Sequence, residues 1–278
     1  MRHVTLDLRR PFLLAFGLPL LLAACGPATV EVSPDVEAAG PPPAALYLAL
    51  GDSLAVGYGL ETPDIEGYVG RVHAGLEAPD RPVALLNLGT SGATARSVIE
   101  DGTLEAAVRA IEDARAAATP IDAITIDLGG NDAARLAPIC LGGIDATCDT
   151  AAGIVRVQLA ADLDRILGDL RAAAGPEVPM AVMGLYNALA NPRCMLHEGA
   201  PIAETLLEGA ASTEAASTAA PAEGFNDVIR ARAAAHGARL VEVADVLGAT
   251  GTLADCLHAS LEGHALIAAR FLEALRTP

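Results

Sequence analysis

The sequence has no tryptophan and no lysine, and only four tyrosines and four phenylalanines among 278 residues. With so few rings, platforms on which sugars or bases stack are scarce. All 18 basic residues are arginine, and against 35 acidic ones they leave a formal charge of −17. A chain this acidic carries no electrostatic footprint for nucleic acid and is repelled by anionic membrane surfaces. Long apolar runs are missing beyond residue 25, so nothing in the folded part reads as a membrane span. No CxxC pair or histidine-rich cluster is present, which argues against a bound metal.

What is present begins with a targeting segment, residues 1–25. Arg2, Arg9 and Arg10 form a charged start, and Pro11 to Leu22 is an apolar core too short for a typical spanning helix. It ends in Leu22-Ala23-Ala24-Cys25-Gly26, which resembles the lipobox of bacterial lipoproteins. That resemblance implies lipidation of Cys25, which then becomes the first residue of the mature chain. The alternative is an ordinary secretory signal with an incidental cysteine; the small residues directly before Cys25 favour lipidation. Residues 26–43, rich in proline and alanine, read as an extended tether, and 44–278 as one globular domain. The expected place of the protein is outside the cytoplasm, lipid-anchored to a bacterial cell envelope.

Four further cysteines remain: Cys140, Cys148, Cys194 and Cys256. An even number in an exported chain favours two disulfides over free thiols. Cys140 and Cys148 bracket a short loop and are natural partners by proximity. That leaves Cys194 with Cys256, clamping a loop to the segment just before His258. Three connectivities are open.

Strands alternate with helices along the domain. Apolar runs at 46–50, 82–88, 122–128, 178–185 and 238–246 read as buried strands. Helices are expected over 65–76, 103–118 (with Thr103 as cap), 150–174, 225–236 and 260–275. Between 187 and 223 the pattern lapses, and 210–220 is low in complexity: a surface insertion, or a lid facing a substrate. The alternation implies a parallel sheet covered on both faces.

Such sheets place ligands at the carboxyl ends of their strands. The first strand breaks there into Gly51-Asp52-Ser53-Leu54, the second into a loop holding Gly92, and the third into Gly129-Gly130-Asn131-Asp132. A glycine N–H and an asparagine amide are suitable donors to the oxyanion of an acyl-transfer reaction. A serine nucleophile also needs a base. His73 and His236 lie in helices, His197 is a weak candidate, and His264 sits early in the last helix without a partner. His258 lies three residues after Asp255, close enough for the carboxylate to accept Nδ1–H and leave Nε2 free for Ser53. Asp52 and Asp132 read as structural.

Taken together and in this order, the four segments resemble the SGNH (GDSL) hydrolase family. The resemblance implies a flavodoxin-like three-layer α/β/α sandwich, with a five-stranded parallel sheet in the order 2-1-3-4-5. It makes Ser53 the nucleophile, His258 the base and Asp255 its orienter. Ser53 N–H, Gly92 N–H and the Asn131 side chain would form the oxyanion hole, and neither metal nor organic cofactor is required. The implied activity is hydrolysis of carboxylic esters, of small molecules or lipids. Carbohydrate O-deacetylation and ligand binding without turnover are the alternatives. One departure stands out: the family usually has proline after the histidine, and here Ala259 follows. A Cys194–Cys256 bridge is the expected substitute for that stiffness.

Overall fold

The computed structural model describes residues 45–209, 223–245, 247, 255 and 257–276. The targeting segment, the tether with Cys25, the stretch 210–220 and Cys256 lie outside the described residues, and so does the expected Cys194–Cys256 bridge.

Strands β1 (Ala45–Gly51), β2 (Val83–Asn87), β3 (Ile121–Asp127), β4 (Met180–Met183) and β5 (Arg239–Val241) form one sheet in the order β2-β1-β3-β4-β5. Each neighbouring pair is parallel. Parallel neighbours need crossovers, and helices supply them. Helices α1 (Ser53–Val56), α2 (Pro63–Glu66) and α3 (Tyr68–Leu76) follow β1, and α4 (Ala95–Glu100) and α5 (Thr103–Ala116) follow β2. Between β3 and β4 lie α6 (Gly130–Ala134), α7 (Ala137–Cys140) and the long α8 (Ala146–Ala174). After β4, α9 (Ala200–Glu208) and α10 (Phe225–Ala235) lead to β5, and α11 (Leu261–Arg276) closes the chain.

The apolar runs alternate their side chains between two cores, as strand geometry dictates. Leu48, Leu50, Ile124, Ile126 and Val182 face one side, where they meet Ile111 of α5, Leu163 and Leu167 of α8, and Ile229 of α10. Tyr47, Ala49, Ala123, Ala181 and Met183 face the other, against Val72 of α3 and Phe271 of α11. These side chains are buried, and each large one contributes about 1.5–3 kcal/mol. The result is the expected three-layer sandwich, and the strand order is the expected one.

Several boundaries differ from expectation, each for a local reason. The single helix expected over 65–76 is two, because the chain is extended at Gly67. Thr103 does not cap α5; it is the first helical residue, behind Gly102. The Asp101 carboxylate accepts its N–H and hydroxyl instead, at 3.0 and 2.7 Å. The long helix begins at Ala146 rather than Thr150, because Asp145 accepts the N–H groups of Thr147 and Cys148. Helix α4 was not expected; Thr94 and Ser97 form a reciprocal capping box in which serine stands where glutamate is usual. Helix α9 lies inside the stretch read as irregular.

The Cys140–Cys148 bridge is present and ties α7 to the first turn of α8. Restricting the unfolded chain with a loop this short contributes about 2–3 kcal/mol.

On the α3/α11 side the Tyr68 ring stacks between Phe271 and His264, with centroids 5.1 and 6.3 Å away. His264 is fully buried, and its Nδ1 accepts the Tyr68 N–H at 3.2 Å. This agrees with its reading as a packing residue. Burial lowers its pKa from 6.5 to about 4. The unfolded chain therefore takes up a proton that the folded one refuses, and acidification between these values favours unfolding, by up to about 3 kcal/mol. In His264→Asn, whose side-chain oxygen can accept the same N–H, thermal stability should fall less steeply between pH 6.5 and 4 than in the wild type. Melting curves of the two proteins across that range test it.

Candidate active site

Strand β1 ends on Gly51, opposite Asp127 at the end of β3. A Cβ on Gly51 would lie 1.3 Å from an Asp127 carboxylate oxygen, so no side chain fits there. The next residue, Asp52, caps α1 by accepting the Leu54 N–H at 2.9 Å. Ser53 is thereby held as the first residue of α1, at the carboxyl edge of the sheet. Helix α1 stops at Gly57, in the left-handed region with φ 74°, and the Tyr58 N–H donates back to the Ser53 carbonyl at 2.9 Å.

His258 arrives from the other end of the chain. Its Nε2 stands 2.9 Å from Ser53 Oγ, and its Nδ1 stands 2.6 Å from Asp255 Oδ2. Asp255 Oδ1 also accepts the N–H groups of Leu257 and His258, both at 3.1 Å. Partial burial works against its charge, but the hydrogen bonds from the His258 ring and from these backbone groups outweigh it and hold its pKa below the usual value. The three residues expected to form a triad thus stand within hydrogen-bond reach of one another.

Two tyrosines that the sequence did not single out fix the His258 loop. The Tyr58 ring lies on the imidazole, with centroids 4.2 Å apart and planes inclined by 31°. The Tyr186 hydroxyl donates to the Leu257 carbonyl at 2.5 Å. Ala259, in the place of the family's usual proline, is fully buried. The Tyr58 stack and the Tyr186 hydrogen bond thus add to the bonds from Asp255 and Ser53 in constraining this loop. No sequence signal marks these tyrosines, because both act across the fold.

Asn131 lies in α6, and both hydrogens of its amide are engaged. Nδ2 donates to Asp52 Oδ2 at 2.9 Å and to the Ala93 carbonyl at 3.0 Å. Gly92 stands beside Ala93 in the left-handed region, with φ 80°. Its loop is tied to the nucleophile turn by Thr90 N–H on the Gly51 carbonyl, and to α6 by Ala95 N–H on Asp132 Oδ2, each at 3.0 Å. The three strand-end loops are therefore one hydrogen-bonded unit, with Asp52 and Asp132 as its struts, as read from the sequence.

Buried acids lie beneath this unit. Burial pushes Asp52 up to about 6 and Asp132 above its ordinary value. Burial, with the Asp52 charge nearby, pushes Asp127 well above its ordinary value. Among the described residues, no group of three or more His, Cys, Asp or Glu is placed to hold a metal. The remaining histidines serve elsewhere: His73 Nε2 lies 2.6 Å from the Val83 carbonyl, and His236 Nε2 lies 3.0 Å from Asp164 Oδ1. His197 Nδ1 lies 3.0 Å from the Leu189 carbonyl.

A cavity of about 240 Å³ opens at Ser53, Asn131 and His258. Its walls come from α6, α7, the end of β4 and α9, and they are predominantly aliphatic. Part of the stretch that looked like an irregular insertion is thus a wall of the site. The stripe Ile202, Leu206, Leu207 was the available signal, masked by the alanine-rich sequence that follows.

The model of the GDSL-like lipase/acylhydrolase family matches residues 49–266. A search of curated proteins finds no match. Among solved structures, the lipase Lip_vut3 from a goat rumen metagenome is similar at 20% identity, with 83% of this chain and 97% of that chain covered and a TM-score of 0.60. The acetylxylan esterase Axe2 from Geobacillus stearothermophilus is similar at 18% identity, covering 85% and 96%, with a TM-score of 0.52. An extracellular lipase from Streptomyces rimosus is similar at 18% identity, covering 83% and 98%, with a TM-score of 0.52. At these identities the likeness is one of fold.

Removing the Tyr186 hydroxyl should loosen His258 without disturbing the core. In Tyr186→Phe, the rate at which a fluorophosphonate labels Ser53 should fall about 3–10-fold, the worth of one hydrogen bond. The melting temperature should move by only a few degrees. Stopped-time labelling beside a thermal melt separates the two effects.

Proposed function

The chain belongs to the GDSL-like lipase/acylhydrolase family and is a carboxylic ester hydrolase, and we propose that it cleaves its substrates through an acyl-enzyme on Ser53. The observation that carries this reading is the run of two hydrogen bonds, 2.9 and 2.6 Å, from Ser53 through His258 to Asp255. As Ser53 Oγ attacks the ester carbonyl, His258 Nε2 takes its proton. Asp255 keeps the ring in the tautomer with hydrogen on Nδ1 and stabilises the imidazolium that forms. His258 then protonates the departing alcohol, and the same nitrogen activates the water that releases the acid.

Charge on the carbonyl oxygen would be met by the N–H groups of Ser53 and Gly92 and by the Asn131 amide. Because Asn131 already donates to Asp52 and Ala93, it must share or exchange one of those bonds as the charge develops. Asp52 is the natural partner to yield, since burial places its pKa at about 6.

Removal of acetyl groups from a polysaccharide is the second reading, prompted by the similarity to an acetylxylan esterase. The aliphatic cavity beside Ser53 favours apolar esters instead. We also place the protein outside the cytoplasm, held by lipid on Cys25; the Cys140–Cys148 bridge supports an oxidising compartment.

The wild type should react with a fluorophosphonate at Ser53 and hydrolyse p-nitrophenyl acetate. Ser53→Ala and His258→Ala should each lose roughly 10⁴-fold or more of that hydrolysis. Absence of both labelling and turnover in the wild type would make the protein a binder. For the anchor, Cys25→Ala should move the expressed protein from the detergent phase to the aqueous phase in a detergent partition. An unchanged distribution would refute lipidation.

A further inference from the structure

The cavity beside Ser53 narrows the substrate class. Its reacting end carries the polar groups: Asp52, Ser53, Asp127, Asn131 and His258. Beyond that end, the polar side chains lining it among the described residues are Tyr186 and Asn187. The Tyr186 hydroxyl is spent on the Leu257 carbonyl and the Asn187 amide nitrogen on the Ala200 carbonyl and Glu204, which leaves Asn187 Oδ1 as a single buried acceptor without a partner here. A sugar or polyol placed here would leave most of its hydroxyls without partners, at a cost no compensating contact offsets. The walls are instead aliphatic, with Leu136, Leu141, Leu189, Ile202 and Leu206 among them. They suit an unbranched hydrocarbon chain.

The volume sets a length. An apolar cavity of about 150 Å³ holds benzene, with six carbons; 240 Å³, part of it taken by the ester group itself, holds a chain on the order of eight carbons. Which half of the ester this is follows from the surroundings of His258. The leaving alcohol takes its proton from Nε2 and must depart on that side, where Tyr58 and Leu257 are 51% and 56% exposed. Tyr58 does not line the cavity, whereas Ile202 and Leu206 of α9 do, and a chain still bonded to Ser53 would remain among them.

The wall is also built to keep its shape. Leu141 follows Cys140 directly and so rides on the Cys140–Cys148 bridge. It packs against Gly199, at the foot of α9, so closely that a Cβ there would lie 2.6 Å from its methyl group.

Resting on the reading of Ser53 as nucleophile, we infer that this cavity is an acyl site for medium chains of about eight carbons, with α9 and the bridged loop setting the length. Ile202 and Leu206 are its specificity residues.

The test is a series of p-nitrophenyl esters from acetate to palmitate, with the full-length protein. In the wild type, kcat/KM should rise severalfold for each added methylene, reach a maximum near octanoate and not rise beyond it. Ile202→Trp and Leu206→Trp fill the cavity, and the octanoate-to-acetate ratio within each variant should fall at least tenfold. Taking that ratio cancels any general loss from imperfect folding. Octyl acetate, compared with ethyl acetate, moves the same chain to the alcohol side and should gain little. Acetate as the best substrate, with a ratio unmoved in both variants, would overturn the inference while leaving the Ser53 mechanism standing. A gain with octyl acetate in place of octanoate would overturn the acyl assignment. Failure to hydrolyse any ester, with no phosphonate labelling, would instead overturn the mechanism on which the inference rests.

Discussion

The pairing of Gly51 with Asp127, where β1 and β3 end side by side, is the constraint on which the site depends. The buried carboxyl fills the space a side chain would take, so the chain can turn there only on glycine. That turn delivers Asp52 to cap α1 and to receive Asn131, and it delivers Ser53 to the sheet edge. Because neighbouring parallel strands end at the same edge, the loops of Ser53, Gly92 and Asn131 converge without any long-range signal of their own. Only His258 has to be brought from elsewhere, and 205 residues separate it from Ser53.

How His258 is held shows how a chain poor in aromatic residues uses them. Within the domain the rings are Tyr47, Tyr58, Tyr68, Tyr186, Phe225 and Phe271. Tyr47, Tyr68, Phe225 and Phe271 are fully buried in the two cores. The other two, Tyr58 and Tyr186, are committed to the His258 loop. A stacked ring and a hydrogen-bonded carbonyl restrain it from two directions. A proline would act differently, by fixing a backbone torsion.

Much of this was legible in the sequence, for identifiable reasons. The first strand was readable because its run 46–50 is apolar on both faces, a pattern that belongs to a sheet covered on both sides. The loops of Ser53, Gly92 and Asn131 were readable because each follows a strand directly. The Asp255–His258 pair was readable from spacing. What escaped depends on contacts between distant segments. Tyr58 and Tyr186 find their partners only once the sheet is closed. Helix α4 hid behind a serine in its capping box. Helix α9 is specified by a short apolar stripe whose burial depends on α10 and the segment 188–199. Thr103 misled because capping fell to Asp101, two residues earlier.

The contact between Gly199 and Leu141 carries a consequence for how such a chain can change over time. A methyl group at 199 would lie 2.6 Å from the end of the Leu141 side chain, which has to shift before anything larger than glycine fits. In descendants of this sequence, alanine at 199 should therefore be accommodated most readily beside a smaller residue at 141. Each exchange of that kind would tilt the foot of α9 and redraw the far end of the cavity. Substrate range could then drift along this lineage through two positions remote from the reacting atoms, while Ser53, His258 and Asp255 stayed as they are.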